Sequence, residues 1–178
     1  KNYLQIYQTL AYKVDLKQKV LFMKFISYSH NDEHKFGILD NDLITDLTGK
    51  ILGATSLKDL ILKNGIVDAK KFASENPGNL SVNDIEYLPL IPNPGKIICV
   101  GLNYSEHVKE TNRTVEENPV IFHRFPESQT AHLQSIQRPI ASDNLDFEGE
   151  MAVIMGEGGK HIKPEDALKH IIGYSCYN

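Results

Sequence analysis

From Met23 to Leu47 apolar and polar residues alternate in three short runs, MKFISYSH, KFGILD and LITDL, separated by NDEH and ND. Alternation places successive side chains on opposite faces, and Asn and Asp between runs supply turns. The pattern predicts a three-stranded β-meander. The period then changes. In SLKDLILKNG, Leu57, Leu60 and Ile61 recur at helical spacing, Ser56 stands where an N-cap belongs, and Gly65 lies just past the end. VDAKKFASENPG predicts a second short helix, stopped at Pro77. LPLIPNPGK then holds Pro89, Pro92 and Pro94. Each proline fixes φ and removes a donor, so an extended linker and a domain boundary are expected here.

Beyond the linker, KIICVGLNY predicts a buried strand broken at Gly101. SEHVKETN predicts a short helix capped by Asn103 or Ser105, and PVIFHRF a further strand. Residues 126–139 have no period and read as loop. LDFEGEMAVIMG starts as alternating apolar and acidic residues and ends as an apolar run. As a strand it sets Asp146, Glu148, Glu150, Ala152 and Ile154 on one face. After GEGG a helix is expected from Pro164, with Glu165 and Asp166 in its first turn and Gly173 at its end. GYSCYN opens a last strand that cannot close a core within six residues.

The expected fold class is therefore α+β, mainly β. A small N-terminal β domain with short helices takes residues 23–93, and residues 94–178 begin a larger mixed-β domain. The chain is expected to be the N-terminal part of a longer protein, and the fragment alone inactive, its open strand edges limiting solubility. Residues 1–22 lack Gly, Pro and Arg and read as an extension ahead of Met23.

Composition narrows the partners. Hydrophobic residues make up 41% and charged residues 24%, the balance of an ordinary globular chain. Net charge is -4 with no basic block, which gives no footprint for nucleic acid or an anionic membrane. No apolar run approaches the ~20 residues that span a bilayer. Cys99 and Cys176 lie in apolar text and are expected as buried thiols of a reducing, cytoplasmic compartment.

Three clusters carry candidate chemistry. Carboxylates two residues apart on one strand face lie roughly 7 Å from each other and repel. A hard divalent cation removes that cost, and Mg²⁺ or Ca²⁺ takes carboxylate oxygens. An edge strand with its acids in solvent explains the same spacing. His107 and Glu110 share a helix face, where a carboxylate can hold the imidazole as a general base, or where both simply face water. Arg124, at the end of an apolar strand, can clamp a carboxylate bidentately or cap an edge. His123 points to the other face, His132 lies in the loop, and GEGGK lacks Walker spacing.

KIICVGLNYSEHVKE, PVIFHRF, LDFEGEMAVIMG and ALKHIIGYSCYN resemble, in order and spacing, the fumarylacetoacetate hydrolase family. MKFISYSH, FGILD and NDLITDL are similar to that family's small N-terminal domain. The resemblance is to a bacterial-type member and implies a roll-like catalytic domain begun at about Lys96. It implies a divalent metal, Mg²⁺ or Mn²⁺ with Ca²⁺ as a further option, held by Glu148, Glu150 and an aspartate expected directly after Asn178. It implies water activation by His107 with Glu110, and substrate contacts from Tyr104 and Arg124. Relatives often carry Lys where Arg124 stands, and Arg cannot shuttle a proton as Lys can. The implied reaction is hydrolysis of a C–C bond in a 2,4-dioxo acid such as an acylpyruvate, by a homodimer. The alternatives are isomerase, decarboxylase, hydratase or lyase chemistry on related 2-oxo acids, or non-catalytic binding of a small acid.

Overall fold

Asn31 and Asp32 both adopt positive φ, 53° and 61°. Two such residues in sequence make the turn whose twist suits a two-residue hairpin, and Asn and Asp tolerate it. The turn therefore joins β1 (Lys24–His30) directly to β2 (Glu33–Asp40), with His30 opposite Glu33. The second strand starts two residues earlier than the NDEH spacing predicts. The computed structural model describes residues 23–110 and 118–178, and of Ser105 and His107 the backbone alone.

A second tight turn, with Asn41 at φ 52°, leads into β3 (Leu43–Asp46). The meander is thus present. Two short strands, β4 (Leu80–Ser81) and β5 (Glu86–Tyr87), extend it to an antiparallel sheet ordered β4-β3-β2-β1-β5. Gly37 is required inside β2, because a Cβ there would collide with the Thr45 carbonyl.

Both faces of this sheet are covered. Phe36 and Ile38 pack with Leu47, Ile51, Leu57, Leu60 and Ile61, while Ile26, Tyr28, Leu39 and Ile44 form a second cluster. The first cluster is closed by α1 (Leu57–Leu62) and α2 (Ile66–Glu75). Ser56 caps α1: its hydroxyl accepts from the Asp59 N–H at 3.1 Å. Asp59 in turn accepts from the Thr55 N–H and from Lys63, and these contacts hold its carboxyl below the usual range, Lys63 first. Ser56→Ala is expected to cost about 1 kcal/mol, read as a lowered urea midpoint with an unchanged slope.

Further along, β8 (Glu150–Met155) pairs antiparallel with β9 (Ile171–Tyr177), Glu150 facing Tyr177. Ile154 and Ile172 pack against the helix-side core. Two expectations change here. The segment Pro164–His170 is a 3-10 helix, not an α-helix ending at Gly173. Ladder pairing claims Ile171 to Gly173, with Gly173 opposite Ile154 beside a register shift, so the helix has no room. The acidic strand is also shorter than its alternation. Among the described residues none forms a strand opposite 145–149, so β8 starts at Glu150, and Asp146 and Glu148 precede it. Its apolar half is not fully buried: Ala152 and Ile154 are half-covered, while Met151, Val153 and Met155 are exposed.

Of the described residues, 23–92 together with 130–178 form one unit, and those within 93–129 a second. The second contains β6 (Ile97–Gly101), α3 (Ser105–Glu110) and β7 (Val120–Arg124). β6 and β7 pair antiparallel, Ile97 opposite Arg124. The expected burial of this strand is not seen: Ile98, Val100, Ile121 and Phe122 are exposed. A two-stranded ribbon covers neither of its own faces. The helix expected over 105–112 is present to Glu110, and 111–112 lie outside the described residues. The cysteines are thiols, but Cys99 is half-buried and Cys176 exposed. No helix among the described residues is long and apolar enough to cross a membrane.

Candidate metal and active site

Glu150 is the first residue of β8 and shares the half-covered face with Ala152 and Ile154. Strand alternation makes this placement: the same face that packs Ile154 against the core carries the carboxylate at the strand mouth. Glu148, two residues earlier, is exposed, and its N–H donates to the Asn178 side-chain oxygen at 3.4 Å. That contact spans thirty residues and ties the chain before β8 to the end of β9. Asp146 accepts from the N–H of Phe147, its own neighbour, at 2.9 Å.

Among the described residues no Lys or Arg forms an ion pair with Glu148 or Glu150. Two uncompensated carboxylates two residues apart suit a hard divalent cation, which takes oxygen donors and keeps several waters. Among the described residues no group of three or more His, Cys, Asp and Glu is placed to hold a metal. Glu148 and Glu150 are oxygen donors of the kind such an ion takes, and would be only part of its ligand set.

A tight turn abuts the same end of β9. The Thr130 N–H donates to the Asn178 carbonyl at 3.3 Å, and the Gln134 N–H closes the turn onto the Ala131 carbonyl at 3.1 Å. The Gln134 side chain accepts from the Ala131 N–H and donates to the Tyr87 carbonyl. His132 meets the Tyr87 ring edge-on, centroids 4.9 Å apart. Burial, and then the Asp42 carboxylate, raise the Tyr87 phenol above its ordinary pKa.

The remaining candidates lie in the other unit. Tyr104 is 48% exposed and its carbonyl accepts from the Val108 N–H at 3.1 Å. Val108 is a buried position of α3, and Glu106 and Lys109 form an exposed ion pair at 2.7 Å. His107 and Glu110 stand one turn apart on this helix, Glu110 exposed and the His107 side chain outside the described set. Arg124 donates through Nε to the Ser128 hydroxyl at 3.1 Å and through Nη2 to the Ser128 carbonyl at 2.8 Å. It therefore ties the turn after β7. It also lines an open groove of about 300 Å³ with Lys96, Ile98, His123 and Phe125. His123 packs edge-on to Phe125 at 5.5 Å.

Residues 96–178 match the fumarylacetoacetate (FAA) hydrolase C-terminal family. The matched segment contains Tyr104, His107, Glu110, Arg124, Glu148 and Glu150. The chain is 39% identical over 113 residues to "Oxaloacetate tautomerase fahd2, mitochondrial" of Xenopus laevis, covering 64% of this chain and 35% of that protein. It is 38% identical over 93 residues to "Oxaloacetate tautomerase FAHD2A, mitochondrial" of Homo sapiens, covering 52% and 30%. The chain spans about a third of the length of these curated relatives. In three dimensions it is similar to a fumarylacetoacetate hydrolase from psychrophilic Exiguobacterium antarcticum, with TM-score 0.68 and 27% identity, over 86% of this chain and 54% of that one. It shares its fold with a maleylpyruvate hydrolase from Sphingobium sp. SYK-6, with TM-score 0.56 and 19% identity, over 85% and 57%. That enzyme's structure is a complex with manganese (II) ion and pyruvate. The architecture of the present chain is mainly β, α+β, and matches that of FAA hydrolase enzymes.

The Asn178 bridge and the Thr130–Gln134 turn have no local sequence signal as site elements. Their contacts join residues far apart in the chain: Asn178 meets Glu148, and Thr130 meets Asn178.

Proposed function

We propose that the chain belongs to a metal-dependent enzyme that interconverts the keto and enol forms of a small 2-oxo acid. The observation that carries this reaction is the 39% identity to the Xenopus laevis oxaloacetate tautomerase. It favours the isomerase alternative over C–C hydrolysis. Glu148 and Glu150 would hold a divalent cation, Mg²⁺ or Mn²⁺, and the manganese and pyruvate of the Sphingobium enzyme support that chemistry. When bound, such an ion supplies Lewis acidity to a 2-oxo group and its neighbouring carboxylate.

The rest falls to this chain's own groups. Tautomerisation moves one proton between the oxygen on C2 and carbon C3, adds no water and breaks no C–C bond. His107 would carry that proton, with Glu110 one turn along α3 holding the imidazole in its working tautomer. Tyr104 and Arg124 would orient the acid. The Arg124 fork is already committed in part to Ser128, so it would act through a fixed guanidinium. A homodimer is expected.

The test adds oxaloacetate in its enol form to the intact protein and follows loss of the enol absorbance. His107→Ala is expected to slow the conversion by about 100-fold or more. Acylpyruvates are added in parallel and pyruvate release is measured. Release of pyruvate with no effect on the enol would replace the tautomerase reading by the hydrolase one.

A further inference from the structure

The two carboxylates of the candidate metal site are fixed by different means. Glu150 opens β8, and its backbone is set by pairing with Tyr177. Glu148 lies two residues ahead of that ladder, exposed, where no described residue forms a strand opposite it. An unpaired segment in solvent keeps much of its backbone freedom. A clamp of two carboxylates needs both held in one geometry, or cation binding must supply the ordering. Asn178 provides that constraint. It follows Tyr177 directly, so it is carried by the same strand, β9, that sets Glu150. Its carbonyl accepts from the Thr130 N–H at 3.3 Å. Its side-chain oxygen accepts from the Glu148 N–H at 3.4 Å. An Asn side chain ends in the same amide group as the backbone, and here it stands in for a ladder carbonyl opposite Glu148.

We propose that Asn178 is a positioning residue of the metal site, holding the Glu148 N–H so that the Glu148 carboxylate is set relative to that of Glu150. The proposal rests on the reading of Glu148 and Glu150 as metal ligands and deepens it. Asn178 acts through Glu148 and needs no contact with the ion. At 3.4 Å the bond is long and exposed, so it adds little to folding stability. Its effect is to order a ligand before the ion arrives, a kind of support whose loss costs roughly 10–100-fold in metal affinity.

The test is a double-mutant cycle on the intact protein, read as Mn²⁺ affinity from the electron paramagnetic resonance signal of the free ion. Asn178→Ala is expected to weaken Mn²⁺ binding by about 10–100-fold. In a Glu148→Gln background the same substitution changes affinity by less than about twofold, because the ligand that Asn178 positions is already gone. A residue that merely supported the fold would cost the same in both backgrounds. Metal-free Asn178→Ala melts within about 2 °C of wild type. Asn178→Asp keeps an acceptor oxygen at the same position. Amide exchange at Glu148 in the metal-free protein therefore stays at the wild-type rate in Asn178→Asp and speeds up in Asn178→Ala. Wild-type Mn²⁺ affinity in Asn178→Ala, an equal loss in both backgrounds, or Glu148 exchange that ignores residue 178 would overturn the proposal while leaving Glu148 a ligand. Unchanged affinity in Glu148→Gln would overturn the proposal and the ligand reading together.

Discussion

Glu150→Gln lowers Mn²⁺ affinity by more than about 100-fold, because loss of groups that merely orient ligands already costs 10–100-fold. The substitution keeps the shape and removes the charge. Glu150 opens β8 and faces Tyr177, and this backbone pairing does not depend on the carboxylate. Metal-free Glu150→Gln therefore melts at or slightly above the wild-type temperature, since one of two neighbouring like charges is gone. Glu148→Gln has the same signature, its N–H contact to Asn178 being a backbone one. Isothermal titration of Mn²⁺, with a melting curve of each apo variant, reads both halves. Unchanged affinity in both variants would remove these residues from the ligand set.

Phe36→Ala has the largest expected effect on stability, about 3–5 kcal/mol. Phe36 is fully buried at the centre of the helix-side core, against residues of β2, α1 and the Leu47–Ala54 turns. Its backbone is bound as firmly: the N–H donates to the Thr48 hydroxyl at 3.1 Å, and the carbonyl accepts from the Leu47 N–H at 3.0 Å. The strand therefore cannot shift to fill the void, and the cavity term stays large. Against a domain stability of about 5–15 kcal/mol this leaves a measurable unfolded fraction. Met155→Ala, on the open face of β8, is the contrast and stays within about 0.5 kcal/mol. Urea unfolding of the intact protein followed by circular dichroism separates them. Equal midpoints for the two variants would move the core away from Phe36.

Local signals made the N-terminal half of the fold legible. Alternation marks β1 to β3, Asn and Asp mark the turns, and Ser56 with Gly65 brackets the first helix, all within a few residues of where each acts. The segment from Pro164 shows the limit. Proline and two acids announce a helix start equally well for a 3-10 turn, and only the ladder between β8 and β9 decides that Ile171 to Gly173 belong to a strand. The acidic run shows it again. Period two extends back to Leu145, but a strand needs a neighbour, and pairing begins at Glu150. Of the candidate site, Glu148 and Glu150 are visible in the sequence as two carboxylates two residues apart, a spacing that an edge strand with its acids in solvent also explains. Asn178 beside Glu148, and the Thr130–Gln134 turn beside Asn178, arise from contacts thirty or more residues apart. No window along the chain contains them.

The most direct measurement is the rate of enol-to-keto conversion of oxaloacetate by the intact protein, first stripped of divalent metal with a chelator and then resupplied with Mg²⁺ or Mn²⁺. The metal-free protein is predicted to leave the conversion at its uncatalysed rate, and resupply to restore catalysis in wild type but not in the Glu148→Gln, Glu150→Gln double variant. Full catalysis by the metal-free protein, or equal restoration in the double variant, would contradict a 2-oxo acid site built on Glu148 and Glu150.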